Sequence, residues 1–316
     1  MKWLHTISII VILITTTLVY CTSANSKSPD TAEALGEKLF FDTILSANKT
    51  ISCGTCHKPE FAFADSIALS PGIFGRLGVR NTPSAMNVSD QPHFFWDGRA
   101  LTLEEQALFP IANPDEMDLP IDSAVQRLKN DAVYNQLFQN IFKEGPSAKT
   151  LAIALSKFQR SLETPNAPFD DWRINDNEKA VNASIKRGFA LFNDKAKCVQ
   201  CHFGTNFNNT EFRNIGLFDG KDFNDSGRSV ISKKPEDVGK FKIGPLRNIA
   251  LTAPYMHNGM FKTLREVIDY YDDPDKFVPH SINRDSLLAQ PLHLTEQDKV
   301  DLENFLRSLT GKRMIK

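Results

Sequence analysis

Two short cysteine motifs carry the clearest chemistry in the sequence. They read Cys53-Gly54-Thr55-Cys56-His57 and Cys198-Val199-Gln200-Cys201-His202, and they hold four of the five cysteines in 316 residues. Two thiols three positions apart can form thioethers with the two vinyl groups of one haem, and the adjacent imidazole then lies under the iron. The pattern therefore predicts two covalently attached haem c groups, with His57 and His202 as proximal iron ligands.

Two other kinds of site use similar cysteine pairs. The pairs of a four-cysteine zinc site typically lie about 15–20 residues apart, whereas Cys198 follows Cys53 by 145 positions. A thioredoxin-like redox motif expects a βαβ pattern, which the flanking sequence lacks. In both motifs a histidine follows the second cysteine directly, which favours haem attachment over either alternative.

The second axial position of each haem decides between electron transfer and catalysis, because only an open iron can bind a substrate. No histidine occurs between Pro59 and Gln91, after the first motif. The histidines outside the two motifs are His5, His93, His257, His280 and His293. The first haem therefore has no obvious local sixth ligand, and we expect its iron to be open.

Composition excludes several classes of protein. Lys plus Arg (37) nearly balance Asp plus Glu (38), for a formal net charge of -1, with 41% hydrophobic and 24% charged residues. These values are ordinary for a globular protein. They disfavour a nucleic-acid binder with a basic surface, an acidic disordered chain and a polytopic membrane protein. The length suits about two domains.

The first 26 residues have the pattern of an export signal. Lys2 precedes an uncharged run over residues 3–26, with an apolar centre at 7–20. We therefore expect an exported, periplasmic protein. Cys21 resembles the lipidated cysteine of a bacterial lipoprotein, although Tyr20 stands where a small residue is usual. Lipid anchoring, cleavage to a soluble form and an uncleaved single span stay open as alternatives.

The rest of the chain predicts a mainly helical fold, because apolar residues recur at helical spacing and alternating runs are scarce. The predicted helices cover residues 121–142, 148–162, 178–193, 263–271 and 295–309, the last with Thr295 as its N-cap. Residues 163–177 look like a linker, which divides the chain into domains at 27–170 and 171–316. Long connections at 65–93 and 203–246 are typical of functional loops.

An ordered string of motifs between residues 33 and 310 resembles the bacterial dihaem cytochrome c peroxidases, a family that includes the dihaem enzyme of methylamine utilisation. The motifs are Leu39-Phe40-Phe41-Asp42, the first cysteine motif, Arg80-Asn81-Thr82-Pro83, Phe95-Trp96-Asp97-Gly98-Arg99, Gln106, Pro110, Glu116-Met117, the second cysteine motif, Leu246-Arg247-Asn248 and Leu251-Thr252-Ala253-Pro254-Tyr255-Met256-His257-Asn258-Gly259. The resemblance implies two cytochrome c-like helical domains, each with one covalently attached haem c.

The resemblance also implies roles for individual residues. His57 would serve a peroxidatic haem and His202 an electron-transfer haem, with Trp96 between the two. Gln106 and Glu116 would line the peroxide pocket. Without the resemblance, Trp96 would be interpreted as a core residue and Glu116 as a solvated loop carboxylate.

A calcium site is implied as well. Asn81 and the backbone carbonyls near Thr252 and Pro254 correspond to the family's calcium ligands, and oxygen donors suit that ion. Three protein ligands would leave room for waters in the shell. His257 matches a family histidine that lies near the haems without ligating iron, and a hydrogen-bonded structural histidine is the simpler interpretation.

Two positions depart from the peroxidase pattern. Phe74 stands where many of the peroxidases have a histidine that blocks the first haem until the second is reduced. Tyr271 stands where they have the methionine that ligates the second haem, and in this it resembles the methylamine-utilisation enzyme. A tyrosinate stabilises ferric iron relative to methionine. An ordinary aromatic helix face, or ligation by Met256 or Met260, remains an alternative.

The expected activity is the reduction of hydrogen peroxide to water, with electrons from a small donor protein such as a cytochrome c or a cupredoxin. Glu116 would move a proton between the two peroxide oxygens. The alternatives are a dihaem oxidase of a protein or organic substrate, and a plain dihaem electron carrier. The oligomeric state stays open, with a homodimer as one candidate.

Overall fold

A computed structural model describes residues 28–164 and 166–311. This part of the chain is mainly helical, which confirms the predicted class. Its helices are α1 Ala32–Phe41, α2 Cys53–Cys56, α3 Leu103–Ala112, α4 Ile121–Asn130, α5 Ala132–Phe142, α6 Ala148–Ser161, α7 Pro168–Arg173, α8 Ala183–Asn193, α9 Ser229–Ser232, α10 Leu264–Asp272 and α11 Glu296–Ser308. The strands β1 Phe212–Arg213 and β2 Phe241–Lys242 pair antiparallel.

The predicted export segment, including Cys21, lies outside the described residues. Within the ranges that the structure describes, no helix has the length and apolar character needed to cross a lipid bilayer. The periplasmic location and the lipid anchor remain predictions.

Helices α1 and α6 form the frame around the first cysteine motif. Gly36 of α1 lies against the backbone of α6, where a Cβ atom added to the glycine would come within 1.9 Å of the Ala154 carbonyl oxygen. Only a residue without a side chain permits so close a crossing. The first core, which includes Phe40 and Phe158, packs around this crossing.

Helices α8 and α11 repeat the arrangement around the second motif. Gly188 of α8 lies against α11, and an added Cβ atom would come within 1.9 Å of the Asp301 carbonyl oxygen. Phe192 and Phe305, with ring centroids 5.0 Å apart, pack beside the crossing in a second core. Each cysteine motif therefore follows a helix that is fixed by a glycine contact.

Two of the predicted helices have wrong boundaries. The helix predicted over 121–142 is broken at Asp131, whose carboxylate accepts hydrogen bonds from Val133 N and Tyr134 N and so begins α5. The helix predicted over 178–193 begins at Ala183, after the N-cap Asn182. Both differences come from short polar side chains, Asp131 and Asn182, that accept hydrogen bonds from backbone amides and so begin a helix.

The predicted linker, residues 163–177, contains a helix. Phe169 and Trp172 of α7 are buried in the second core, which explains why this turn is ordered. The first core ends at Leu162, so the two cores divide between 162 and 169. The division into domains at 27–170 and 171–316 remains a prediction, and its boundary falls within α7.

The other predictions agree closely with the structure. Helix α6 spans Ala148–Ser161, and α10 and α11 begin directly after the N-caps Thr263 and Thr295. The long connections at 65–93 and 203–246 are largely irregular and contain only short elements.

Candidate active site

Each cysteine motif forms a single helical turn. Helix α2 spans Cys53–Cys56, and its first turn is closed by a capping box in which Ser52 N donates to the Thr55 hydroxyl oxygen at 3.0 Å. The second motif begins with a 3-10 turn over Cys198–Gln200. Residues three positions apart in such a turn lie on the same face. Each pair of thiols can therefore attach to one flat ligand.

Both histidines are held in the same way. His57 Nδ1 lies 2.8 Å from the Phe63 carbonyl oxygen, and His202 Nδ1 lies 2.9 Å from that of Phe207. Because a carbonyl can only accept, Nδ1 carries the proton and Nε2 keeps its lone pair for a metal. Burial lowers the pKa of both imidazoles and so favours the neutral, ligating form.

Burial keeps the thiols of the two motifs protonated. Burial raises the pKa of Cys53 and Cys198 to about 12, and that of Cys56 to about 11. Among residues 28–164 and 166–311, no group of three or more His, Cys, Asp or Glu side chains could hold a metal ion. The four cysteines therefore do not meet in one zinc site, and the donors in each half fit one haem c.

A cavity of about 350 Å³ opens beside the first motif. Its wall includes Cys53, Cys56 and His57, and no other histidine of the described chain lines it. The remaining lining comes mainly from the 70–83 loop, the 94–117 region and the 242–256 segment. Two thiols and a free imidazole nitrogen on one wall are the donor set that a covalently bound haem needs.

Glu116 also lines this cavity. It follows α3 in a tight loop, where its backbone N donates to the Asn113 carbonyl at 3.1 Å and its own carbonyl accepts from Ile73 N at 2.7 Å. Asn113 Nδ2 donates to Glu116 Oε1 at 2.8 Å. Burial raises the pKa of the carboxyl group, against the opposing effects of the Asn113 hydrogen bond and the positive charge of Arg99. A carboxyl group whose pKa is raised in this way suits proton transfer.

Gln106 lines the same cavity from α3, on the wall that also contains Pro110. The structure thus brings together Gln106, Glu116 and the first cysteine motif. It also places Trp96 in the lining.

Trp96 is fixed by backbone groups from both halves of the chain. Its Nε1 donates to the Asn81 carbonyl oxygen at 2.8 Å, and its own carbonyl accepts from Lys242 N at 2.8 Å. His257 lies beside the indole, with ring centroids 6.4 Å apart. Trp96 is therefore a cavity residue between the halves and is only partly buried.

The predicted calcium ligands share the cavity wall, which includes Asn81, Thr252 and Pro254. Asn81 is buried, and its Nδ2 donates to the carbonyl oxygens of Ile67 and Ala68, both at 3.2 Å. Its Oδ1 has no hydrogen-bond donor among the residues described. An oxygen left without a donor in this way suits a hard cation such as Ca²⁺.

His257 is a stacked structural residue. Its ring lies 3.8 Å from that of Phe241, and its carbonyl oxygen accepts from Asn81 N at 2.7 Å. Burial lowers the pKa of the imidazole to about 4, so the ring is neutral at physiological pH. The ring stacking differs from the simple hydrogen-bonded histidine that the sequence suggested.

Tyr271 lies on the side of α10 that faces the second motif. Burial raises its pKa, and the Cys201 and Cys198 thiols are close enough to raise it further if charged. Its neighbour Tyr270 is fully buried and donates through Oη to the Ile215 carbonyl oxygen at 2.6 Å. Tyr270 is thus the structural tyrosine of the pair, and Tyr271 is the one placed near the second centre.

Four other candidates from the sequence lie elsewhere. Met256 lines the first cavity, and Met260 Sδ accepts from Asn258 Nδ2 at 3.7 Å. Phe74 is 64% exposed and is absent from the cavity wall. His93 packs against Phe212 with centroids 5.3 Å apart, also away from that wall.

The sequence analysis missed the charged residues around the cavity. Arg99 and Arg80 belong to motifs that carried the resemblance, yet no role was assigned to either. Lys242 also lines the cavity, and its Nζ donates to Gln91 Oε1. Burial lowers its pKa to about 8. The apolar side chains on both sides of Lys242, Phe241 and Ile243, were the available signal that this lysine is buried.

Comparisons with known proteins agree with this geometry. A family model for di-haem cytochrome c peroxidase matches residues 30–179. Methylamine utilization protein MauG of Methylorubrum extorquens is 39% identical over 294 residues, which cover 92% of this chain and 80% of that protein. Cytochrome c551 peroxidase of Pseudomonas aeruginosa is 34% identical over 287 residues, which cover 88% of this chain and 78% of the relative.

A solved structure shares the fold closely. The crystal structure of a MauG-like protein associated with microbial copper homeostasis superposes with a TM-score of 0.81 at 33% identity, covering 89% of each chain. Such likeness over nearly the whole length extends to both cysteine motifs. The chain therefore belongs to the di-haem cytochrome c peroxidase family, which implies two haem c groups and an oxidoreductase activity.

Proposed function

We propose that the protein reduces hydrogen peroxide to water at the centre held by His57. One observation carries the proposal: Glu116 and Gln106 line the same cavity as Cys53, Cys56 and His57. A proton-transfer group and a polar side chain thus lie beside the haem donors in one cavity. A plain electron carrier has no use for such groups beside its haem, because its iron binds no substrate.

A haem c held by Cys53, Cys56 and His57 would supply an iron that binds peroxide and the two electrons that reduce it. The protein supplies the proton transfer. Glu116 accepts a proton from one peroxide oxygen and returns it to the other, which leaves as water. Asn113 Nδ2 donates a hydrogen bond to Oε1 of Glu116, and Oε2 of Glu116 has no hydrogen-bond partner within the described ranges. The carboxylate is therefore oriented with one oxygen free to act.

Electrons are proposed to arrive singly from a small donor protein, a cytochrome c or a cupredoxin, at the centre held by His202. Trp96 lies between the halves and would carry charge from one centre to the other. Ca²⁺ bound by Asn81 and the carbonyls of Thr252 and Pro254 would fix the segment to which the indole is hydrogen bonded.

A second candidate is oxidation of a protein or organic substrate by the same oxidising equivalents. Tyr271 favours it, since a phenolate on the second iron stabilises the ferric state and disfavours simple reduction by a donor. The 39% identity to MauG is compatible with this candidate.

The deciding experiment measures stoichiometry on protein matured with both haems. A peroxidase consumes two equivalents of a reduced one-electron donor for each peroxide and forms two waters. If peroxide disappears only when an organic or protein substrate is present, and the reduced donor stays unoxidised, the second candidate is correct. Absence of peroxide turnover under either condition leaves only an electron carrier.

A further inference from the structure

Arg99 lines the cavity beside the first cysteine motif, where peroxide is proposed to bind. The chemistry proposed above gives Arg99 no role. Its guanidinium carbon lies 3.6 Å from the centroid of Phe95 and 6.0 Å from that of Phe109. Stacking on Phe95 fixes the plane of the guanidinium group. Arg99 therefore presents a positive charge in a defined position.

Asp97 holds the other side of this guanidinium group. Arg99 Nη1 donates to Asp97 Oδ2 at 3.0 Å and to Oδ1 at 3.1 Å, and the backbone N of Arg99 also donates to Oδ1 at 3.2 Å. Asp97 is only 4% exposed. Several hydrogen-bond donors therefore fix the position of this buried carboxylate.

The ionic contacts continue into the second half of the chain. Arg80 Nη1 donates to Asp97 Oδ2 at 2.6 Å, while Arg80 Nε and Nη2 bind both oxygens of Asp225 at 2.7 and 2.8 Å. Charges of alternating sign therefore run from Asp225 through Arg80 and Asp97 to Arg99. Arg99 lines the same cavity as Glu116.

We propose that Asp97 and Arg99 are positioning residues, which hold a fixed positive charge on the wall of the cavity that Glu116 also lines and so keep Glu116 in the proton-accepting carboxylate form. The inference rests on the proposed function, because it gives a task to the same carboxylate. It adds a residue that sets the pH range over which peroxide is cleaved.

The charges that face Glu116 support this assignment. Burial is the largest influence and raises the pKa of Glu116, Arg99 lowers it, and the adjacent Asp115 raises it. The Cys53 and Cys56 thiols on α2 are also close, but thioether formation removes their ionisable protons. Arg76, on the outer side of the loop, pairs with Asp118 at 3.1 Å. Arg99 is thus the cation that opposes the burial of Glu116.

The test compares the pH dependence of kcat/KM for peroxide in holoenzyme with Arg99→Gln and Arg99→Lys. Removal of the charge should shift the acidic limb to higher pH, so the activity of Arg99→Gln relative to wild type should fall as the pH is lowered. Arg99→Lys should restore most of the wild-type profile. Arg76→Gln is the matched control, since it removes a cation from the outer side of the same loop, and its profile should not move.

Infrared titration gives a readout that does not depend on turnover. The carboxylic acid band that disappears in Glu116→Gln should titrate at higher pH in Arg99→Gln than in wild type. An unchanged titration, or an equal shift in Arg76→Gln, would overturn the assignment.

A double variant separates this inference from the proposed function. In a Glu116→Gln background, Arg99→Gln should cause no further pH-dependent loss, because the group on which it acts has been removed. If Glu116→Gln itself leaves turnover unchanged, the proposed function fails. If Glu116→Gln lowers turnover but Arg99→Gln leaves the acidic limb in place, only the role of Arg99 fails.

Discussion

Tyr270 and Tyr271 are adjacent on α10, with ring centroids 5.6 Å apart, yet their hydroxyl groups have different surroundings. Tyr270 Oη donates to the Ile215 carbonyl oxygen, whereas Tyr271 Oη has no hydrogen-bond partner among the described residues. The Tyr271 ring lies near the thiols of the second cysteine motif. A phenol oxygen without a hydrogen-bond partner in the protein is available to ligate the iron of the second haem.

Tyr271→Phe should therefore change the electron paramagnetic resonance signal of the second ferric haem and leave that of the first unchanged. The phenyl ring keeps the packing but cannot ligate. Tyr270→Phe is the matched control: it removes the hydrogen bond to Ile215 and should cost about 1–3 kcal/mol of stability, with no spectral change. A wild-type spectrum in Tyr271→Phe would direct attention to Met260.

Glu116→Gln should lower peroxide turnover by about 10²- to 10⁴-fold under saturating donor, because the amide keeps the shape of the side chain but cannot accept the proton. Steady-state kinetics would measure this, with mass spectrometry to verify that both haems are attached. Glu60→Gln replaces an exposed carboxylate in the same half and should keep wild-type turnover. Retention of full turnover in Glu116→Gln would make Gln106 the next candidate.

Fully oxidised enzyme should react with peroxide without prior reduction of the second haem. Phe74 is exposed, and His57 is the one histidine of the described chain on the cavity wall. No histidine is therefore available to block the first iron. Stopped-flow absorbance after mixing ferric enzyme with peroxide would measure the reaction. A lag that disappears on half-reduction would contradict the prediction.

Replacement of Cys198 and Cys201 by alanine should leave one covalent haem, held at the first motif. The thioethers at Cys53 and Cys56 form in a separate segment, enclosed by its own core. Mass measurement after acid-acetone extraction would count the retained haems. The mirror variant, with Cys53 and Cys56 replaced, should also retain one. Loss of both haems in either variant would show that the two attachments depend on each other.

Gly188→Ala should lower the midpoint of thermal unfolding, since the new Cβ atom would lie 1.9 Å from the Asp301 carbonyl oxygen. Such overpacking typically costs about 1–3 kcal/mol. Gly145→Ala adds the same atom where its nearest neighbour is Gln139 Nε2, at 3.4 Å. This control should remain close to wild type, and equal midpoints for the two variants would contradict the close crossing.

The sequence was sufficient to predict the haem donors, because the chemistry of Cys53, Cys56 and His57 depends on spacing along the chain. It was also sufficient for helices with strong caps, such as α11 after Thr295. It did not reveal the break at Asp131, where one carboxylate competes for backbone amides within an otherwise periodic segment.

Long-range contacts were beyond what the sequence pattern could predict. Arg80 and Asp225 are 145 positions apart, and nothing in either segment indicates the other as its partner. Arg99 was visible as part of a motif, but its task depends on which charges fold around it. Tyr271 was distinguished from Tyr270 by its place in the resemblance, whereas the hydrogen bond of Tyr270 to Ile215 is seen only in the packing of α10.

The glycine crossings of α1 with α6 and of α8 with α11 have a consequence for protein engineering. The two halves use the same framework, so the chemical difference between the centres resides in the loops that the frameworks carry. The 65–82 loop and the segment around Tyr271 are therefore the parts to exchange between halves. Under the proposed function, a chimera that moves them should swap the substrate-binding and electron-relaying roles proposed for the two irons, while both helix pairs stay intact.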